Sequence, residues 1–152
     1  MNAIVIPTYN EQENVEAMAG AVLGQIGEDD FILFADDNSP DGTGAVLDAI
    51  SRREVRVKVL HRSAKEGLGR AYIDAFSKAL EMGANRIVQM DCDFSHDPAD
   101  IPRLLASDAA LAIGSRYVPG GKTCGWPMKR LLVSRIGGLV VRTVTGMPVK
   151  DP

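Results

Sequence analysis

Cysteine is scarce in this 152-residue chain: there are two, Cys92 and Cys124, in no C-x-x-C pair and without the spacing of a zinc set. A disulfide-dense secreted scaffold and a structural zinc module are therefore not expected, and a reduced, cytoplasmic setting is. Histidine is equally scarce. His61 and His96 have no evident serine or cysteine partner, so no histidine-based nucleophile is expected. His96, beside Asp97-Pro98, reads as a turn or helix-start residue. Aromatic residues make up 5% of the chain, with one tryptophan. No apolar run reaches the ~20 residues of a membrane span. The start, MNAIVIPTYNE, has no basic region and turns polar by Thr8, unlike a signal peptide.

What the chain does have is an alternation of apolar runs and helical patterns, with 45% hydrophobic and 24% charged residues. That fits one α/β domain large enough to bury a core without staples. Strands are expected at Asn2–Pro7, Phe31–Asp36, Val55–Leu60, Arg86–Met90 and Ala109–Ile113. Asn10, with Glu13 three residues on, has the form of a capping box for a helix reaching Ile26. Thr43 is placed to cap a helix over Gly44–Arg53. Another helix is expected over Gly69–Met82, with Ala71, Ala75, Ala79 and Leu80 on one side. Asp97-Pro98 opens a short one. Strands that are apolar throughout, alternating with helices, predict a mostly parallel sheet with helices on both faces. Ligands bind such sheets at the carboxyl ends of the strands. The polar stretches fall there: Thr8–Glu11, Asp36–Asp41, His61–Gly69, Asp91–Asp97 and Gly114–Tyr117.

Charge is spread unevenly. Residues 1–114 carry 10 Lys/Arg against 19 Asp/Glu, and residues 115–152 carry 7 against a single Asp. An acidic body with a basic end suggests an anionic partner for that end, or simply a solvated basic face. No nucleic-acid partner is expected. Within the basic end, Trp126–Met147 places Met128, Leu131, Leu132, Ile136, Leu139, Val140 and Val144 at helical spacing, interrupted by Lys129, Arg130, Arg135 and Arg142. Such a helix either packs on a core or lies in a membrane interface. Arg130 and Ser134 are i,i+4 and share a face; with Arg116 they can hold a phosphate.

Asp91 and Asp93 follow the run IVQM. Residues i and i+2 share a strand face, so both carboxylates aim the same way. Two like charges that close repel unless a cation lies between them or one takes a proton. A hard divalent ion held by two carboxylates and substrate phosphates satisfies that, and so does one acid capping the next helix while the other is solvated. Cys92, between them, is expected to pack inward. In DDNSPDGT most residues suit a turn, and Asp36 and Asp37 at the strand end are the better functional candidates. A carboxylate there can accept from a nucleobase ring N–H. Tyr9 can pack on a base or ribose, and Glu11 can bond a hydroxyl. The stretch KEGLGR lacks the third glycine of a dinucleotide fingerprint and reads as a loop opening a helix, with Lys65 solvated or reaching a phosphate.

PTYNE, DDNSPDGT, DCDFSHDP, and GSRYVPGG followed by GWPMKRLLVSR together resemble the family 2 glycosyltransferases of GT-A fold. Within them the chain is most similar to the dolichyl- or polyprenyl-phosphate mannosyltransferases, over its whole length. The resemblance implies an α/β, Rossmann-like, mostly parallel sheet with helices on both faces. It implies one catalytic domain over residues 1–152, without the C-terminal portion that members usually carry. Residues 127–147 would be an acceptor or membrane-interface helix. The implied reaction moves mannose, with inversion, from GDP-mannose to a polyprenyl (dolichyl-type) phosphate at the cytoplasmic face of a membrane. Carried over by motif, Pro7, Tyr9, Glu11, Ala35 and Asp37 would hold the nucleoside. Asp91, Cys92 through its backbone, and Asp93 would hold the diphosphate and Mg²⁺ or Mn²⁺. Arg116 would face the phosphates, and Arg130 and Ser134 would bind the acceptor phosphate. Serine at position 95 departs from relatives that carry glutamine there. Another family 2 transferase using UDP-glucose, or a nucleotide-sugar-binding fragment without turnover, are the other readings.

Overall fold

The computed structural model describes residues 1–121, 123, 127–147 and 151. Cys124, Trp126, Lys150 and Pro152 lie outside the described residues. The chain divides into two compact units, Met1–Ala109 and Ala110–Pro152.

The first unit is built on four parallel strands: β1 (Asn2–Thr8), β2 (Phe31–Asp36), β3 (Val57–His61) and β4 (Arg86–Gln89), in the order β3-β2-β1-β4. The period-2 geometry of β1 sorts its side chains between two cores. Ile4 and Ile6 join Ile32, Phe34 and Val57 on one face, under α1 (Val15–Leu23) and α2 (Thr43–Arg53). Ala3 and Val5 join Phe31, Leu33 and Ala35 on the other, under α3 (Leu68–Glu81). The small side chains of Ala75 and Ala79, both fully buried, form the face that α3 lays on the sheet. Helices thus cover both faces, as the sequence predicts. A turn of 3₁₀ helix at Pro98–Asp100 and α4 (Ile101–Leu105) follow β4, and the Asp97 side chain caps them by accepting from Ala99 N at 3.0 Å.

Several expected boundaries move. The first helix starts at Val15, not beside Asn10, because the chain after β1 is drawn across to the loop after β2. Asn10 N donates to Ser39 Oγ, Glu11 N to Thr43 Oγ1 and Gln12 N to Asp41 Oδ2, at 2.9–3.1 Å. Three consecutive amides are spoken for, Asn10 takes a left-handed φ of 58°, and the capping box does not form. That helix ends at Leu23 rather than Ile26. Thr43 lies inside α2, whose N-cap is Gly42 at φ 99°, and the Asp41 side chain accepts from Thr43 N at 2.9 Å. β3 is shifted to Val57–His61. Leu80 is 59% exposed, off the buried face of α3. The expected fifth strand at Ala109–Ile113 is absent: Leu111 is 76% exposed, and no strand among the described residues pairs with it. An apolar run without a neighbouring strand has no ladder to join.

In the second unit, α5 (Met128–Thr145) is the main element. Gly138 is buried and Leu131, Ser134 and Val141 are half-buried, so one stripe of the helix is covered. Met128, Leu132, Val133, Ile136, Leu139, Val140 and Val144 are all more than half exposed. No helix among the described residues is long and apolar enough to cross a membrane.

Candidate functional site

The strand order fixes where a ligand belongs in the first unit. β1, β2 and β3 step outward in one direction, and the chain then returns to lay β4 on the other side of β1. That reversal opens a crevice beyond the carboxyl ends of β1 and β4. The segments entering it are Tyr9–Glu11 after β1 and Met90–Asp93 after β4. Among the described residues, the non-glycine residues with positive φ are Asn10, Asn38 and Phe94, one in each loop following β1, β2 and β4. Left-handed backbone without glycine is costly and clusters at sites that need a particular loop shape.

At the end of β4, Met90 N donates to Val5 O at 3.2 Å, so the ladder continues one residue past the strand. Met90 and Cys92 are buried in the core under α1 and α2. Asp91, between them, turns to the α3 face, where Tyr72 Oη donates to its Oδ1 at 3.3 Å. Burial, followed by the Asp91 charge, raises the pKa of Tyr72, so it stays a protonated donor. Asp93 is exposed, and Ser95 bonds hold its pKa below the usual carboxylate value. His96 Nδ1 accepts from Asp91 N at 3.1 Å, the turn role expected of it. Desolvation first, and then the charges of Glu11, Asp93 and Asp91, push the Cys92 thiol up to about 12. Glu11, in the loop after β1, accepts from Asn14 Nδ2 through its Oε2 at 2.7 Å.

The donor set suits a hard divalent cation. The thiol is packed inward and protonated, which leaves carboxylate oxygens at the crevice. No group of three His, Cys, Asp or Glu side chains clusters like a self-sufficient metal cage among the described residues. Asp91 and Asp93 alone would leave such an ion needing further oxygens, from water or from a ligand.

Across the rim, Asp36 and Asp37 part company. Asp36 is consumed by its own turn: Oδ1 accepts from Ser39 Oγ and Thr8 Oγ1, and Oδ2 from Ser39 N. Its candidacy as a ligand residue gives way to a structural role. Asp37 has its backbone N bonded to Thr8 O at 3.0 Å, and its carboxylate is paired with the Arg62 guanidinium. Pro7 is half-buried opposite Ala35 in the β1–β2 ladder. The Ala35 side chain is fully buried, so any contact it makes with a ligand is through its backbone. Tyr9 is 36% exposed, with Lys65 Nζ 3.6 Å from its ring centroid. Lys65 is therefore seated on the ring.

In the second unit, Arg116 is bonded to Asp151, with Nε 2.7 Å from Oδ2. Those bonds raise the arginine pKa and lower that of Asp151. Ser134 Oγ accepts from Tyr117 Oη at 2.8 Å, and Arg130 lies one turn before it on α5. A cleft of about 520 Å³ is lined by Arg116, Tyr117, Val118, Arg135, Leu139 and Arg142, among others. The Arg116 and Arg135 guanidinium carbons each lie 5.8 Å from the Tyr117 ring centroid. The structure thus brings Arg116 together with Arg135 and Arg142, which the motifs do not single out. It also adds Tyr72 and Arg62 to the first unit. Tyr72 carries no signal in the sequence. Arg62 carries a weak one, as a cation in a polar loop at a strand end.

The sequence matches the Glycosyl transferase family 2 domain over residues 3–145. It is 45% identical over 149 residues to an undecaprenyl-phosphate mannosyltransferase of Micrococcus luteus, covering 97% of this chain and 61% of that protein. It is 45% identical over 152 residues to a polyprenol monophosphomannose synthase of Mycolicibacterium smegmatis, covering 97% of this chain and 57% of that one. A dolichol-phosphate mannosyltransferase of Pyrococcus furiosus is 36% identical over 153 residues, 98% of this chain and 42% of its own. The chain spans less than two thirds of the length of each of these relatives.

Proposed function

This chain belongs to glycosyl transferase family 2, and we propose that it forms the nucleotide-binding and catalytic part of an inverting transferase that moves mannose from GDP-mannose to a polyprenyl phosphate. The observation that carries the reading is the pair Asp91 and Asp93 at the crevice between β1 and β4, which the loop carrying Glu11 also enters. The names of the relatives at 45% identity support mannose as the sugar and a polyprenyl phosphate as the acceptor.

In this reading Tyr9 packs on the nucleoside, Glu11 bonds a hydroxyl, and Asp37 accepts from the base. Pro7 and Ala35 line the same floor. Mg²⁺ or Mn²⁺ held by Asp91 and Asp93, with the Cys92 backbone beside it, would offset the diphosphate charge and ease its departure. Arg116, Arg130 and Ser134 take the anionic oxygens of donor and acceptor phosphates. An acceptor phosphate oxygen attacks the anomeric carbon as the bond from that carbon to the donor diphosphate breaks, and the electron pair leaves with the diphosphate. The nucleophile is already an anion, so no proton has to be removed. The chain's own work is to hold two anions in line and to neutralise them. The absence of a suitable histidine base from the motifs agrees with this. The exposed apolar residues and arginines of α5 would bring the chain to the membrane surface that carries the acceptor, peripherally on its cytoplasmic face.

The test is turnover. The chain is incubated with radiolabelled GDP-mannose, a polyprenyl phosphate and Mn²⁺, and organic-soluble label is counted. Label that appears with the parent and is lost with Asp91→Ala is expected. Label from UDP-glucose but not from GDP-mannose would reassign the donor. Metal-dependent nucleotide binding without any lipid-linked product would reduce the chain to a binding module.

A further inference from the structure

Arg62 is the best buried cation among the described residues, with 5% of its side chain exposed, and no motif calls for it. It stands one residue past β3, where Arg62 N donates to Asp36 O at 2.8 Å. Its guanidinium faces three carboxylates from three parts of the first unit. Nη1 bonds Asp37 Oδ1 at the end of β2. Nε bonds Asp74 Oδ2 on α3 at 2.9 Å, and Nη2 bonds Glu66 Oε2 in the following loop at 3.2 Å. Burial works against the charged form, but the bonds to Asp37 and Asp74 outweigh it and raise the arginine pKa. The same loop grips its neighbours as well: Asn38 Nδ2 donates to Ser63 O, and Lys65 covers Tyr9. Asp37 is as buried as Arg62, with 7% of its side chain exposed against 61% for Glu66 and 47% for Asp74, so the Arg62–Asp37 pair bears the desolvation cost and is tied to the surface by the other two.

We infer that Arg62 is a positioning residue for the donor base, acting through Asp37. This rests on the reading that Asp37 accepts from that base. A carboxylate is an acceptor only, with two oxygens to aim. The guanidinium takes Oδ1 and is itself held by Asp74 on a rigid helix, so the plane of the Asp37 carboxylate is set before ligand arrives. Oδ2 is then presented to a base that offers adjacent donors, as guanine does with N1–H and its 2-amino group. A lysine cannot do this, because the planar fork that reaches three carboxylates at fixed angles is particular to arginine.

The experiment compares GDP with inosine diphosphate, which keeps N1–H and lacks the 2-amino group. Calorimetric affinities are measured with Mn²⁺ for the parent, Arg62→Gln, Arg62→Lys, Asp74→Asn, Asp37→Asn, and the Arg62→Gln/Asp37→Asn double variant. Arg62→Gln is expected to weaken GDP by about tenfold or more and to shrink the GDP preference. Arg62→Lys should recover only part of that. Asp74→Asn, a mild change at a half-exposed helix position, should shrink the preference by less, and it keeps the test alive if Arg62→Gln does not fold. The double variant should show the same preference as Asp37→Asn alone. A preference that drops in Asp37→Asn but is unchanged in the Arg62 and Asp74 variants overturns the inference and leaves the base reading intact. A further drop in the double variant overturns it too, because Arg62 would then touch the base itself. An unchanged preference in Asp37→Asn, or a parent that binds neither nucleotide, overturns the base reading and the inference with it.

Discussion

Asp91 and Asp93 sit two residues apart and are held differently, one half-buried under the Tyr72 hydroxyl and one exposed against Ser95. If both serve one cation, Asp91→Asn and Asp93→Asn should each weaken Mn²⁺-dependent nucleotide binding by roughly 10–100-fold while leaving metal-free binding alone. A titration with and without metal checks this. Cys92 between them is 2% exposed and its thiol is pushed up to about 12. Iodoacetamide at pH 8 should therefore leave Cys92 unmodified in the folded, metal-free chain and alkylate it in urea, as read by peptide mass mapping. Arg62→Met would strand the Asp37 carboxylate in a buried site and should cost about 3–5 kcal/mol in urea unfolding. At this scale the placement of Asp91 and Asp93 just past a strand end was legible, because an apolar run that stops at two acids marks where the strand leaves the core. Asp36 and Asp37 read alike in the sequence, and only the turn that closes over Asp36 separates them. Arg62 and Tyr72 were not legible, since each gains its role from a partner 12 to 25 residues away in the chain.

The elements explain why the loops after β1 and β2 act as one piece. Thr43, fully buried at the start of α2, accepts from Glu11 N and donates to Asp41. Thr43→Val keeps the shape but leaves those groups without the hydroxyl. It should cost about 1–3 kcal/mol in thermal or urea unfolding and weaken nucleotide binding through Glu11, whereas Thr43→Ser should be milder. Equal stability of Thr43→Val and the parent would remove that bridge from the account. The apolar strands β1 and β2 were readable as apolar runs because burial on both faces leaves little choice of residue, and the alanine face of α3 was readable from its helical spacing. The start of α1 was not. A capping box is a local signal, and it lost to three hydrogen bonds reaching 29 to 32 residues along the chain. The segment Ala109–Ile113 has a strand's composition and no strand to pair with, and composition alone does not report that.

At the scale of the whole molecule, the acidic first unit and the basic second unit divide the chemistry. The first gathers carboxylates at a sheet edge, and the second gathers Arg116, Arg135 and Arg142 in one cleft on a helix with an exposed apolar surface. If α5 meets a lipid surface, the chain should float with anionic vesicles at low salt and be released as salt rises, because the Debye length falls to about 8 Å at physiological ionic strength. Leu132→Glu/Val133→Glu should abolish flotation without changing nucleotide affinity. The division was visible in the charge count, but the arginine cleft was not, because its members come from both ends of the unit. The central claim is that Asp91 and Asp93 bind the donor through a divalent ion. Calorimetry of this chain with GDP-mannose and with UDP-glucose, each with and without Mn²⁺, tests it most directly. The account predicts Mn²⁺-dependent binding of GDP-mannose and none of UDP-glucose. GDP-mannose binding that ignores Mn²⁺, or no binding at all, would contradict it.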